Sequence, residues 1–588
     1  MVLGWCVIGV LAWFAWRYFL ERTACFDSAF FSWLMVDGEE PVSVLGRYGS
    51  WLAQLVPVAL VRSGVALDTV LKTYSLSFIA LHALVFLLLT TKWRDGRAAM
   101  ALPIVLTAGF HYMFYYGISE LYQGLSLSVL LWVMIVRMLA SEGGAALWKW
   151  CAGIVLLNVV VSFFHQLLVF PLVFLLVFEG IGTDAQRRRR LFFVGLVLMA
   201  WYVVRIKAFA TSSYEEERMP AMEDLLNGLM HLRELNSTVY FLSVWTKFKA
   251  ALLLIGLAGG LAVLQRAWLK LVWTMIFTAG FLALILIVDR DNTSPIICEN
   301  YYPVITMFWA VLFVTSLPEH GGKTALIAPA AMGLVCMLGL LQIHRAHYRF
   351  SEKVAYAERL TDFRAAHGSR KTIVHFSNYP WAYGLGHWAL GMESALIAAV
   401  DGPEHAATLF TSDDVALIDT ASTRKQQFLG PAWTPLWFGL QSLDPRYFDL
   451  PMDTGYTHAN TWVPDFHFDQ LRLSGPRTPF RMFPDRFTVV PIVIHNPTDL
   501  RMPSITADGA PFRFSYTLFR MDGTVYQESS ELSSLETDIP SGATYYQGLV
   551  VERPVDPGRY VVQARMLAGS VPVGASLRFE VEADRWPF

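Results

Sequence analysis

The stretch "TACFDSAFFSWLMVDGEEP" (23–41) sets four carboxylates, Asp27, Asp37, Glu39 and Glu40, among Phe26, Phe30, Phe31 and Trp33. How it is read decides the fold, because it directly follows an apolar run at 2–20. That run is long enough to cross a bilayer core of about 30 Å. It has no basic leader and no small-x-small cleavage site after it, so it reads as a retained first helix rather than a signal peptide. The acids then become the first thing the chain exposes beyond a membrane.

Composition points the same way. Of 588 residues, 55% are hydrophobic and only 16% are charged, against about 45–50% and about 25% in soluble domains. The excess is concentrated in residues 1–345, whereas 346–588 reads as ordinary soluble sequence. A net charge of −2, with no basic stripe in the soluble part, gives no sign of a nucleic-acid partner. Five cysteines are too few for a disulfide scaffold. Cys25 and Cys298 fall in loops on one membrane face, where a bridge is open to them if that face is oxidising.

Apolar segments of spanning character lie near 2–20, 70–90, 99–116, 122–139, 149–164, 167–181, 190–206, 249–265, 269–288, 301–316 and 324–342. Loops at 91–97, 137–149, 183–190, 265–270 and 317–323 carry twelve Lys and Arg residues; the alternate connections "GISELYQ" (117–123) and "HQ" (165–166) carry none. The positive-inside rule therefore places the first set in the cytoplasm. With eleven spans the N-terminus is cytoplasmic and the C-terminal region lies on the opposite face. Within the first long outer loop, "SWLAQLVPVALVR" (50–62) is apolar, short and interrupted by Pro57, which suits a helix lying in the interface.

The soluble part divides into a mixed α/β segment (346–475) and a β-region (476–588). In the latter, alternating strands at 486–496, 512–520, 545–553, 559–567 and 575–583 are separated by "MDGT", "PSGA" and "DPGRY". Their spacing suits an all-β immunoglobulin-like sandwich.

Candidate chemistry sits on the outer face. Asp27, a few residues beyond the first span, is placed to act as a general base toward an acceptor hydroxyl, or to cap the helix over "SAFFSWLM"; the two roles can coexist. Arg47, Arg205, Lys207 and Arg290 supply cations at headgroup level, suited to a lipid phosphate or to interfacial snorkelling. His165 and Glu120 are polar groups pinned between spans, costly there without a partner or a cavity. The acidic run Glu215–Glu217 reads as a solvated face. No P-loop, GxGxxG, GxSxG, HExxH or CxxC pair is present, so no nucleotide, serine-hydrolase or zinc signature stands in the sequence. No metal ligand set is assigned, although carboxylates leave a divalent cation open.

This layout resembles the GT-C superfamily of integral-membrane glycosyltransferases. "FDSAFFSWLM" places Asp27 where that family carries its catalytic carboxylate, and "SWLAQLVPVALVR" is similar to its interfacial helix. "GISELYQGLSLSVLLWVMIVRML" (117–139) and "ENYYPVITMFWAVLFV" (299–314) are similar to its short loop with following helix and to its late span. There are departures: the usual Asp-Glu pair is Asp27-Ser28, and Asn300-Tyr301 stands for the usual Arg-Tyr. "SNYPWAYGLGHW" (377–388) only faintly echoes the Trp-Trp-Asp motif of one branch. The resemblance implies an inverting transferase with Asp27 as base. Its donor would be a polyprenyl-phosphate sugar, its acceptor an envelope glycan, lipid or protein, and its location a bacterial inner membrane. Alternatives are a lipid-linked polysaccharide polymerase or ligase, and a non-enzymatic transporter or assembly protein.

Overall fold

Helices occupy every apolar stretch of the first 345 residues, because backbone polar groups in an apolar setting must pair within their own segment. The computed structural model describes all residues except 45, 117–119, 209–221, 292, 294–298, 300, 318–323, 385, 437, 484–485, 530 and 585–588. Glu215–Glu217 and Cys298 lie outside the described residues. Among those described, six helices are long and apolar enough to cross a membrane: Leu67–Lys92, Glu120–Ala140, Gly144–Ser162, Ala185–Ala208, Trp268–Val288 and Ala328–Ala366. A pair bent by 84°, Asn236–Lys247 with Lys249–Leu264, makes a seventh if it is one span. The expected spans near 2–20, 99–116, 167–181 and 301–316 correspond to shorter apolar helices, Val2–Arg17, Gly96–Thr107, Gln166–Gly180 and Tyr301–Thr315.

The chain forms two compact units. The first comprises Met1–Arg22, Glu40–Ala59 and Lys72–Ala346. Small residues let its helices approach closely: a Cβ on Gly339 would stand 2.6 Å from the Thr107 carbonyl oxygen, so only glycine fits there. Arg22, 1% exposed, is held by Ser75 Oγ at 2.9 Å and by the face of Phe114, 4.1 Å from the ring centroid.

The second unit comprises Thr23–Glu39, Leu60–Leu71 and His347–Phe588. It takes in the acidic, aromatic stretch and the end of the amphipathic helix Trp51–Arg62. No helix break marks the boundary near residue 345. Thr324–Ala366 is one continuous helix, since the hydropathy falls at "HRAHYR" but no Gly or Pro stops the backbone. After it comes a three-stranded parallel sheet, ordered Thr408–Thr411, Lys371–Val374, Thr457–His458, with the helix Leu390–Ala399 on the crossover.

The β-region holds two sheets. One is ordered Val525–Glu528, Phe512–Arg520, Gly558–Ala568, Val571–Ala583, Phe480–Arg481; the other Thr544–Glu552, Phe487–His495, Arg472–Ser474. Along Phe512–Arg520 the side chains alternate between buried and half-buried positions, the period-2 pattern of a strand with one face on a core. A single hydrophobic core runs through both sheets and onward to Val374, Leu390, Tyr356 and Leu360, so the mixed segment and the β-region are built around one interior.

The rings of the opening stretch are part of this second unit. Trp33 is fully buried, stacked on Phe428 (4.5 Å, 5°) and against Phe448 (4.2 Å). Phe26 meets Phe350 edge-on at 6.0 Å, and Phe30 reaches Trp388 and Trp433. Removing a buried indole leaves a cavity and forfeits its transfer energy. Trp33→Ala is expected to destabilise this unit by about 3–5 kcal/mol, read as a lowered thermal midpoint of the full chain in detergent; an unchanged midpoint would contradict this packing.

Candidate functional site

Four of the cationic and polar residues singled out from the sequence come together in the first unit. The 3₁₀ turn Tyr48–Ser50 is anchored by the Gly49 N–H, which donates to the Phe163 carbonyl at 3.0 Å. A Cβ on Gly49 would lie 2.5 Å from the Phe164 ring, so the approach requires glycine. This holds Arg47, whose Nη1 lies 3.7 Å from Glu120 Oε2. Glu120 opens the helix Glu120–Ala140, where the N-terminal dipole favours a carboxylate, and it is only 6% exposed. Arg205, 7% exposed at the end of Ala185–Ala208, lies over the Phe163 ring at 5.6 Å.

His165 completes the group. Its Nδ1 accepts the Leu167 N–H at 3.1 Å, so the ring proton sits on Nε2 and is available as a donor. Burial drives its pKa well below the ordinary histidine value, and the charges of Arg47 and Arg205 push the same way. The cluster thus sets two guanidinium groups and a neutral imidazole beside one carboxylate.

Two further groups lie beside Glu120 that sequence reading missed. Gln123, one turn along the same helix, is fully buried and neither side-chain amide atom has a partner among the described residues. Tyr74 is 1% exposed and its hydroxyl is likewise unpartnered among them. A polar Gln one turn after Glu120 in an apolar helix was the available signal.

Lys207 and Arg290 do not join the group. Lys207 is exposed, two positions after Arg205 and so on a different side of the helix. Arg290 is exposed and faces its neighbour Asp291, Nε to Oδ2 at 3.5 Å. Elsewhere in this unit Glu299 accepts the Met113 N–H at 2.8 Å and lies 3.2 Å from His111 Nδ1, a second buried pair that the sequence did not reveal. No cluster of three or more His, Cys, Asp or Glu side chains suited to a metal occurs among the described residues.

Asp27 belongs to the second unit. It is exposed, in the first turn of the helix Phe26–Gly38, whose N-cap is Cys25; Asp27 is therefore not the N-cap. The preceding Phe26 has φ 52°, a left-handed backbone that a bulky residue adopts only when its surroundings impose it. The cause is visible. Its N–H donates to Glu393 Oε1 at 2.6 Å, and Lys353 Nζ lies 3.0 Å from the same oxygen and 3.7 Å over the Phe26 ring. The Lys353 and Glu393 side chains are each 1% exposed. Burial raises the Glu393 pKa, opposed first by Lys353, with the Asp27 charge adding a smaller upward push. Glu393 Oε2 has no partner among the described residues.

No family model, curated protein or solved structure matches the chain.

Asp37 and Glu39 are tied down within the second unit, whereas Glu40 falls in the first. Asp37 Oδ1 accepts the Asp444 N–H at 3.0 Å, and Arg446 bridges Asp444 and Glu39. Burial pushes the Asp37 carboxyl up to about 6 from 3.8, against the lowering effect of the Asp444 N–H. A carboxyl raised on folding binds more protons folded than unfolded between those values. Stability therefore falls as pH rises through that window and is level above it. Asp37→Asn keeps an acceptor for the Asp444 N–H and removes the titration. Thermal midpoints at pH 4.5 and 7.5 are expected to differ less in this variant than in the parent; an identical difference would refute the assignment.

Proposed function

We propose that this protein is a membrane glycosyltransferase of GT-C type, with inverting chemistry and a polyprenyl-phosphate sugar as donor. The observation that carries the reading is the gathering of Arg47 and Arg205 around His165 beside Glu120, with the His165 Nε2–H as an added donor. Such a set suits a phosphate: guanidinium groups offer forked, charge-assisted hydrogen bonds, and a neutral imidazole adds a donor without a further charge. A lipid carrier also fits a chain rich in apolar helices. The exposed apolar stripe Trp51, Leu52, Leu55 and Val56 is the face expected of an interfacial helix.

In this reading Asp27 is the general base. It takes the proton of an acceptor hydroxyl as that oxygen attacks the anomeric carbon; the bond from that carbon to the phosphate breaks, and the polyprenyl phosphate leaves. The finer topology belongs to the same proposal: eleven spans, counting the shorter apolar helices, a cytoplasmic N-terminus, and a periplasmic immunoglobulin-like domain on a bacterial inner membrane. The acceptor is an envelope glycan, lipid or protein.

One observation favours a second reading. The helix pair broken at Phe248 and bent by 84° is the kind of discontinuity that lines transport sites, so a transporter of an anionic lipid or solute is the alternative.

The test uses the full chain in nanodiscs with polyprenyl-phosphate sugars. Arg205→Ala is expected to weaken donor binding about tenfold or more, and Asp27→Asn to lower transfer by about 10²–10⁴-fold with binding retained. Full transfer by Asp27→Asn would remove it as the base. Donor flux across liposomes without any transfer product would favour the transporter.

A further inference from the structure

The carboxyl ends of adjacent parallel strands are where α/β sheets place their ligands. The three-stranded sheet of the second unit has Lys371–Val374 at its centre, paired in parallel with Thr408–Thr411 and Thr457–His458. The residues that leave those ends are unusually polar. His375 and Ser377 follow the central strand, Asp413 follows one neighbour and Asn460 the other.

These side chains are connected. His375 Nδ1 lies 2.7 Å from Ser377 Oγ. On the other side of the ring, Nε2 lies 3.4 Å from Asp413 Oδ1. That carboxylate is held in place by the Phe376 N–H at 2.7 Å. The His375 N–H donates to Asn460 Oδ1 at 2.8 Å, and the Asn460 amide is fixed by Ser504 Oγ and the Glu536 carbonyl. The turn carrying Ser377 is pinned by fully buried Asn378, whose Nδ2 donates to the carbonyls of Ser504 and Leu535. The Asp413 carboxylate favours the proton on Nε2, which leaves Nδ1 as the acceptor for the serine hydroxyl. Ser377 Oγ also lies 3.4 Å from Asn378 Oδ1, but the contact to His375 is shorter by enough to decide where its proton points.

Ser377 borders a cavity of about 210 Å³, lined also by Tyr379, Trp381, Tyr383, Arg513 and Glu531. Its volume is below the roughly 300–1,000 Å³ of drug-sized sites, so it admits a small group. Trp381 is 45% exposed and supplies an aromatic edge of the cavity, packed on Phe376, Tyr379 and His387, while Arg513 and Glu531 supply polar contacts for a hydroxylated partner.

We infer that Ser377, His375 and Asp413 form a nucleophilic site acting on short-chain carboxylic esters of polar, hydroxyl-bearing alcohols. Serine, base and orienting acid are recognised by mutual geometry rather than by a sequence signature, which is why the lack of GxSxG does not bear on it. Ser377 Oγ adds to the ester carbonyl carbon as its proton passes to His375 Nδ1. The carbonyl-carbon to alcohol-oxygen bond then breaks, and the alcohol leaves with that proton. Water, deprotonated by the same nitrogen, hydrolyses the acyl-serine, releasing the carboxylic acid and restoring the hydroxyl. Asp413 steadies the imidazolium between the two steps. The site is independent of the transferase reading, since none of its residues is assigned a role there.

The experiment treats the full chain in detergent with a fluorophosphonate probe and maps the adduct by peptide mass spectrometry, with p-nitrophenyl acetate hydrolysis as a second readout. The expected result is an adduct on Ser377 in the native protein that is absent after denaturation. Labelling should fall about a hundredfold or more in His375→Gln, and ester turnover should vanish in Ser377→Ala. An unlabelled Ser377 in the native chain would overturn the inference, as would equal labelling rates in His375→Gln.

Discussion

A buried carboxylate in this protein holds together parts of the chain that sequence keeps far apart. Glu393 sits in an apolar helix with no access to water, where a carboxylate is costly unless protein groups meet it. Its Oε1 is met by Lys353 and by the Phe26 N–H. The second of those contacts turns the backbone at Phe26 into a conformation a phenylalanine otherwise avoids. It also commits the start of the helix Phe26–Gly38 to a unit made mostly of residues beyond 346. Trp33, further along that helix, completes the attachment by filling a slot between Phe428 and Phe448. Hydrogen bonding specifies where the segment starts, and apolar burial stabilises it there.

The first unit gathers polar groups of a different kind. Arg47, Glu120 and Arg205 meet around a His165 that burial keeps neutral. The buried side chains of Gln123 and Tyr74 beside them have no hydrogen-bond partner among the described residues. In the second unit, by contrast, Lys353 and Glu393 answer each other directly at 3.0 Å.

Much of the helical content was legible because hydropathy reports it directly; helix ends were less so. Thr324–Ala366 runs on past its apolar part, since polarity changes at His344 and Arg345 but helix propensity does not. The strands of the β-region fall close to where alternation and turn residues put them, Phe512–Arg520 being the clearest. What the sequence hid is pairing at a distance. Trp33 stands beside an apolar run with nothing local to mark it as core, and only Phe428, 395 positions away, shows that it is. The four clustered residues were visible one by one as polar groups at helix ends, but nothing in one dimension separates Arg205 from Lys207; helical azimuth does. His375, Ser377 and Asp413 gave no signal, because their proximity comes from parallel strand pairing between segments about forty residues apart.

The interleaving of the two units also bears on how the chain is made. Residues 23–39 leave the ribosome hundreds of residues before their partners at 353, 393, 428 and 446. Synthesis at about 5–20 residues per second separates the two by tens of seconds. During that interval the rings of Phe26, Phe30 and Trp33 have no core to enter. Aromatic surface that folding finally buries is thus exposed for as long as the rest of its unit takes to make, and it is then that the segment is most open to misplaced apolar contacts.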